Sequence, residues 1–322
     1  MEYTNLGRTG LRVSRLALGC MSFGDPKRGM HSWTLDDDAA APLLRQAVEL
    51  GITFWDTANV YQQGTSEEII GRAMRRLSRR EEIVLATKLS GKMHDSPGGS
   101  GLSRTAILEQ ANASLERLGT DHIDVLYIHR FDDSTPVEET MQALDDLVRS
   151  GKVRYLGASS MYAWQFAKLQ QAAAVGGWTP FVAMQDQYNL LKREEEREMI
   201  PMCADMGVGL VPYSPNGKGR LTRPRGESTA RAELDSVAKA FDADADGPII
   251  DVVEQIAAER EVPMARVALS WVLRNPTVAA PIVGATKAKH LDDAVAALEL
   301  TLTEDEVARL EAPYVTQPPF WW

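Results

Sequence analysis

Ile52 to Gly64 read ITFWDTANVYQQG: a short apolar and β-branched run, a carboxylate at its end, and a tyrosine five residues beyond. The layout recurs downstream. IVLATK (Ile83 to Lys88) closes on an ammonium, and VLYIH (Val125 to His129) closes on an imidazole. Runs of this length and make-up read as β-strands. As parallel strands of one closed sheet they would share a mouth at their C-terminal ends. Asp56, Tyr61, Lys88 and His129 would then converge there.

Working outward, the same alternation fills the chain. Strands are predicted at Leu16–Leu18, Thr53–Asp56, Val84–Thr87, Val125–Ile128, Tyr155–Ala158, Phe181–Met184, Gly209–Pro212 and Pro281–Val283. Most successive starts lie roughly 25–40 residues apart, the length of one βα unit. Helical spacing predicts helices over Asp37–Leu50, Arg104–Leu118, Pro136–Ser150, Met264–Leu273 and Leu291–Leu298. Gly51, Gly119 and Gly151 supply stop signals, and Pro136 is expected at a first helical position. EYTNLGRTGLRVS, turning at TGL, predicts a hairpin, and Glu304–Leu310 predicts a helix beyond the last unit. Met93–Ser103 and Ser214–Gly247 outgrow the repeat, and loops that long usually serve as lids or clamps. The expected fold is α/β: a single (β/α)8 TIM barrel over residues 1–322, with an N-terminal β-hairpin plug and extra C-terminal helices.

Of the 322 residues, 44% are hydrophobic and 25% charged, the balance of a globular chain. A net charge of −10 argues against a nucleic-acid or anionic-membrane binder. Charged residues interrupt every apolar stretch before it reaches the length of a membrane span. Two isolated cysteines, Cys20 and Cys203, exclude a disulfide scaffold and fit a reducing compartment. The start lacks a signal-peptide core, so a cytoplasmic location is expected. His31, His94, His122, His129 and His290 lack metal-ligand spacing, and no metal is expected.

The four strand-end groups suit proton donation. An ammonium about 4 Å from a phenolate is worth roughly 4 kcal/mol at an effective dielectric near 20, and burial opposes it. A modest net depression of the Tyr61 pKa is therefore expected, with Asp56 holding Lys88 cationic. A neutral His129 can donate to a substrate oxygen. Such a site protonates an oxygen that gains charge, as in carbonyl reduction. No side chain supplies hydride, so a nicotinamide or flavin is implied.

Neither GxGxxG nor a Walker loop occurs, so the late barrel loops must hold that group. PIVGATKAKHLDD (Pro281 to Asp293) offers Gly284, Thr286, Lys287, Lys289 and His290 to a phosphate at a helix start. VPYSPNGKGRLT (Val211 to Thr222) offers Tyr213 to a flat ring and Gly217, Lys218 and Gly219 to a pyrophosphate. Ser159 and Gln185 suit a carboxamide. Phe23, Trp33, Arg130 and Phe131 are expected around the substrate. The terminal Phe320-Trp321-Trp322 is expected to cover the mouth or bury against the barrel.

Taken together, LALGCMSFG, FWDTANVYQQGTSEEIIG, VLATK, LYIHR, GKVRYLGASS, MQDQYNLL, VPYSP, ALSWVLRNP and PIVGATK resemble the aldo-keto reductase superfamily over essentially the full length. LGCMSFG, REEEREM and GRLTRP resemble a YajO-like bacterial branch of it. The resemblance implies NADPH-dependent reduction of aldehydes or ketones to alcohols. Tyr61 would be the general acid, Lys88 and Asp56 would tune it, and His129 would orient the carbonyl. It implies cofactor contacts from Met21, Asp56, Ser159, Gln185, Tyr213, Ser214, Lys218, Gly284, Thr286, Lys287 and His290. His290 stands where some relatives carry Arg, so NADH is expected as a weaker second cofactor, with Lys287 the main discriminator. Ser160 replaces a usual Asn, and Asn216-Gly217-Lys218-Gly219 replaces a usual Leu-Ala-Arg-Gly. Two other readings share the barrel: an NADPH-sensing subunit like those of potassium channels, and a sugar-phosphate or vitamin-precursor transformation. The expected partner is a small carbonyl compound, with monomer or homo-oligomer both open.

Overall fold

The computed structural model describes every residue except 30, 228, 230–233, 235–243 and 318–322. β1 (Tyr3–Asn5) and β2 (Arg12–Ser14) pair antiparallel as the opening hairpin. Eight parallel strands follow: β3 (Ala17–Gly19), β4 (Phe54–Asp56), β5 (Val84–Leu89), β6 (Ile123–Ile128), β7 (Val153–Ser159), β8 (Phe181–Gln185), β9 (Gly209–Leu210) and β10 (Ile282–Gly284). Their order is β10-β3-β4-β5-β6-β7-β8-β9. The Ile282 N–H donates to Pro212 O (2.8 Å), just past β9, which closes the sheet into a (β/α)8 barrel.

Around the sheet lie α1 (Asp37–Glu49), α2 (Thr65–Leu77), α3 (Arg104–Leu118), α4 (Val137–Arg149), α5 (Ala163–Gly176), α6 (Met199–Met206), α7 (Gly247–Glu259), α8 (Met264–Leu273), α9 (Ala288–Ala297) and α10 (Glu304–Glu311). Caps fix several ends. The Asp36 and Ser103 side chains accept from Ala39 N and Ala106 N, and left-handed glycines at 119 and 177 stop α3 and α5.

Successive strand residues face opposite sides, and that parity divides the core in two. Ala17, Phe54, Ala86, Val125, Tyr127, Ala183, Val211 and Ile282 point into the barrel with Leu6 and Val13 of the hairpin. Leu18, Trp55, Leu85, Leu126, Leu156, Met184 and Leu210 point outward against the helices. The hairpin thus plugs the barrel's base. Ser14 Oγ fixes it there by accepting from Thr53 N and Phe54 N, both at 3.1 Å. Inside, side-chain size is tightly matched: a Cβ on Gly157 would lie 2.4 Å from the Tyr127 ring.

Two helix starts differ from the sequence reading. Pro136 lies in extended backbone just before α4 rather than at its first position. α9 begins at Ala288, not Leu291, so its first turn contains Lys289 and His290. Ser214–Gly247 is not loop alone: a 3-10 turn occupies Gly217–Thr222 and another Asp244–Asp246. The tail docks through Tyr314, whose hydroxyl accepts from Arg193 N (3.1 Å), and through Gln317 N, which donates to Glu194 Oε1 (2.8 Å). Phe320-Trp321-Trp322 lies outside the described residues.

Candidate active site

Asp56, Lys88 and His129 face inward because each keeps the parity of the core residue two positions earlier: Phe54, Ala86 and Tyr127. All three lie at the C-terminal ends of their strands. Tyr61 joins them through a tight turn, Tyr61–Gly64, that leads into α2. Gln62 and Gln63 in that turn adopt left-handed backbone, with φ of 49° and 52°. Such values are strained for residues bearing a Cβ, and strain of this kind collects at functional sites.

Lys88 is wholly buried. Its Nζ donates to Asp56 Oδ1, to Thr57 O (2.8 Å) and to Tyr61 OH (3.2 Å). Gln185 Nε2 donates to the other Asp56 oxygen (2.9 Å). The Tyr61 and His129 rings meet nearly edge-on at 6.0 Å. Both rings stay partly exposed while Asp56 and Lys88 are sealed beneath them, so phenol and imidazole are what the mouth presents.

Burial dominates the electrostatics. It pushes the Tyr61 phenol up, and Lys88 opposes without reversing it. The modest depression expected from the sequence is therefore not found: desolvating a phenolate costs more than one ammonium returns. Burial alone would lower Lys88, but Asp56 and Tyr61 outweigh it and the ammonium is held. Burial likewise pushes Asp56 up, against Lys88 and Gln185. His129 falls well below the ordinary histidine range, through burial first and then the charges of Lys88 and Arg130. It is neutral at neutral pH.

A second set of residues lines the same end of the barrel. Ser159, at the end of β7, donates to Gln185 O (2.7 Å), and Ser160 Oγ donates to Tyr213 OH (3.4 Å). Ser160, Ser214 and Lys218 all have left-handed backbone, with φ of 51°, 54° and 55°. The space beside Gly284 is open, and Thr286 N donates to His290 Nδ1 (3.3 Å), folding the loop into the start of α9. Lys287 and Lys289 are exposed there, and Met21 is half-buried in the turn after β3. Hydroxyls, an amide, a partly exposed phenol ring, an open glycine and cations at a helix N-terminus fit a dinucleotide with phosphates. Among the described residues, no group of three or more His, Cys, Asp or Glu is placed to hold a metal ion, and no helix is long and apolar enough to cross a membrane.

One expected substrate residue is elsewhere. Phe23 is fully buried between sheet and helices, pinned by its N–H to Cys20 O (3.0 Å) and by a bridge to Leu35. That local pairing turns its ring into the core. Trp33, Arg130 and Phe131 remain partly exposed on the loops after β3 and β6. Two residues escaped the sequence reading. The fully buried Asp186, next after Gln185 and of opposite parity, accepts from Ser160 N (2.8 Å). A charged residue at an outward strand position was its available signal. Gln62 binds the first loop, and nothing in YQQG announces that.

The aldo/keto reductase family profile matches residues 15–314. The chain is 45% identical to the versiconal hemiacetal acetate reductase of Aspergillus parasiticus, covering 98% of this chain and 97% of that one. It is 44% identical to an aldo-keto reductase of Alternaria alternata, covering 98% and 92%. With an aldo-keto reductase of Metarhizium robertsii the identity is 43%, over 98% and 92%. These relatives are fungal and do not support the bacterial branch suggested by LGCMSFG. A profile match across the barrel and a near full-length likeness at this level leave one conclusion: the chain belongs to the aldo/keto reductase family and is an oxidoreductase.

Proposed function

We propose that residues 1–322 form one catalytic domain that reduces aldehydes or ketones to alcohols with NADPH, and more weakly with NADH. One observation carries this reading: Lys88, paired to Asp56 in a sealed pocket, donates to the hydroxyl of a partly exposed Tyr61 beside a neutral His129. A reduced nicotinamide supplies hydride when bound. Ser159 and Gln185 would hold its carboxamide and Tyr213 its ring face, with Met21 and Asp56 bordering it. Ser214 and Lys218 would hold the pyrophosphate. Gly284, Thr286, Lys287 and His290 would hold the adenosine phosphate, with Lys287 favouring NADPH.

The chain's own groups then manage one proton. The neutral imidazole of His129 donates to the carbonyl oxygen and fixes its direction. Tyr61, kept protonated by burial, gives up its proton only as that oxygen becomes an alkoxide, which is far more basic than a phenolate. Lys88 stabilises the phenolate left behind, and Asp56 keeps Lys88 charged. Tyr61→Phe should lower kcat about 10²–10⁴-fold, the range for general acid catalysis, with cofactor Kd near wild type. Wild-type turnover in that variant removes Tyr61 from the role.

A further inference from the structure

Asp186 is fully buried just past the end of β8, and the proton chemistry at Tyr61 makes no use of it. Burying a carboxylate is costly, and such a group persists where it organises its surroundings. Here it joins the ends of three adjacent strands. Its side chain accepts from Ser160 N (2.8 Å), just past β7. Its main-chain carbonyl accepts from Tyr213 N (3.0 Å), beyond β9. Ser160 Oγ in turn donates to Tyr213 OH (3.4 Å). The three hydrogen bonds close a ring through Asp186, Ser160 and Tyr213.

The ring holds backbone that does not hold itself. Ser160 has a φ of 51°, in the left-handed region that residues bearing a Cβ rarely adopt. That conformation persists only where the surrounding structure over-determines it. The Ser160 N–H also approaches Gln185 O (3.2 Å), but that carbonyl already accepts from Ser159 Oγ (2.7 Å). Without the Asp186 carboxylate, the peptide between Ser159 and Ser160 is free to turn and to carry the Ser159 hydroxyl with it. Tyr213 is tied by its backbone to Asp186 and Gln187, and its phenol is steadied at the hydroxyl by Ser160.

We infer that Asp186 is a positioning residue for the nicotinamide half of the cofactor: through Ser160 and Tyr213 it sets the β7 and β9 ends as one face before the cofactor arrives. The inference rests on the nicotinamide-dependent reading and adds to it a residue that, being fully buried, touches neither cofactor nor substrate. A preformed face spares binding the cost of ordering it. The adenosine-phosphate half draws on Gly284, Thr286, Lys287 and His290, none of which belongs to the ring, so it gains nothing from Asp186.

Titration calorimetry with NADP and with 2′-phospho-ADP-ribose, the same nucleotide lacking nicotinamide, tests this without turnover. In Asp186→Ala the Kd for NADP should rise about tenfold, the cost of ordering a loop and a side chain on binding, while that for 2′-phospho-ADP-ribose stays unchanged. Asp186→Asn keeps an acceptor for the Ser160 N–H and should bind both like wild type. Tyr213→Phe keeps the aromatic ring but breaks the link to Ser160. It should weaken NADP about threefold, and in the double variant its loss should not add to that of Asp186→Ala, since both open one network. Equal losses for the two nucleotides in Asp186→Ala overturn the proposal, because Asp186 then supports the fold at large. So does wild-type NADP affinity in Asp186→Ala, or in Tyr213→Phe should Asp186→Ala fail to fold. If wild type binds 2′-phospho-ADP-ribose as tightly as NADP, the proposal falls while nucleotide binding stands. If it binds neither, the cofactor reading itself fails and takes this inference with it.

Discussion

Burial without full hydrogen bonding sets the charge of Asp186. One oxygen accepts from Ser160 N, and among the described residues the other accepts no hydrogen bond. Burial pushes its carboxyl up to about 7, against the pull of Ser160 N–H and Arg130. Glu195, Cys203 and Tyr213, each raised first by burial, also feel the charge of Asp186. The folded state therefore keeps a proton that the unfolded chain releases near its ordinary value of about 4. Between those values the native form binds more protons, so stability falls as pH rises across the window. Asp186→Asn keeps the acceptor for Ser160 and removes the charge. It should stabilise the protein by about 1–4 kcal/mol near pH 8 and by little near pH 4. Urea unfolding at both pH values checks this, and equal effects at the two would refute it.

The loop after β3 is held by a distant side chain as well as by its own backbone. Gln62 Nε2 donates to Asp25 O (2.9 Å), to His31 O (3.0 Å) and to Arg28 O, while its Oε1 accepts from His31 N (3.1 Å). Glycines let the loop close on it: a Cβ at Gly29, where φ is +74°, would lie 2.7 Å from Gln62 Cα. The latch joins the loop bearing Trp33 to the turn bearing Tyr61. Gln62→Ala strands these carbonyls and should cost about 1–3 kcal/mol. It should also speed hydrogen exchange at the His31 amide and raise KM; unchanged exchange there would show the loop is fixed otherwise. This feature was not legible because its partners lie more than 30 residues away and an amide side chain has no pattern to read. Strands and helix stops were legible, because β-branched runs and left-handed glycines act locally. Helix starts were less so: Pro136 suits either the first helical residue or the one before it.

Across the molecule, a buried ionic clamp fastens helix to helix and helix to barrel. Glu67 of α2 is fully buried; it accepts from Arg117 Nε of α3 (2.6 Å) and from Thr87 Oγ1 of β5 (2.6 Å). Thr87 points outward by parity, which is what brings it to the helix layer. Removing one partner strands a buried charge, so Arg117→Ala should lose about 3 kcal/mol in denaturant unfolding. Arg117→Met combined with Glu67→Gln should recover part of that; a double variant worse than additive would show that packing, not charge, is at stake. The sequence by itself determined the order of strands and helices, the βα repeat, and the placing of Asp56, Lys88 and His129 at strand ends, because alternation and spacing are properties of neighbours along the chain. Only the tertiary structure decided that Phe23 is core, that Asp186 is buried and Gln62 holds the first loop, and that burial outweighs Lys88 at the Tyr61 phenol. Exposure, desolvation and hydrogen bonds between distant residues exist only once the barrel has closed, since each depends on what the rest of the chain places alongside.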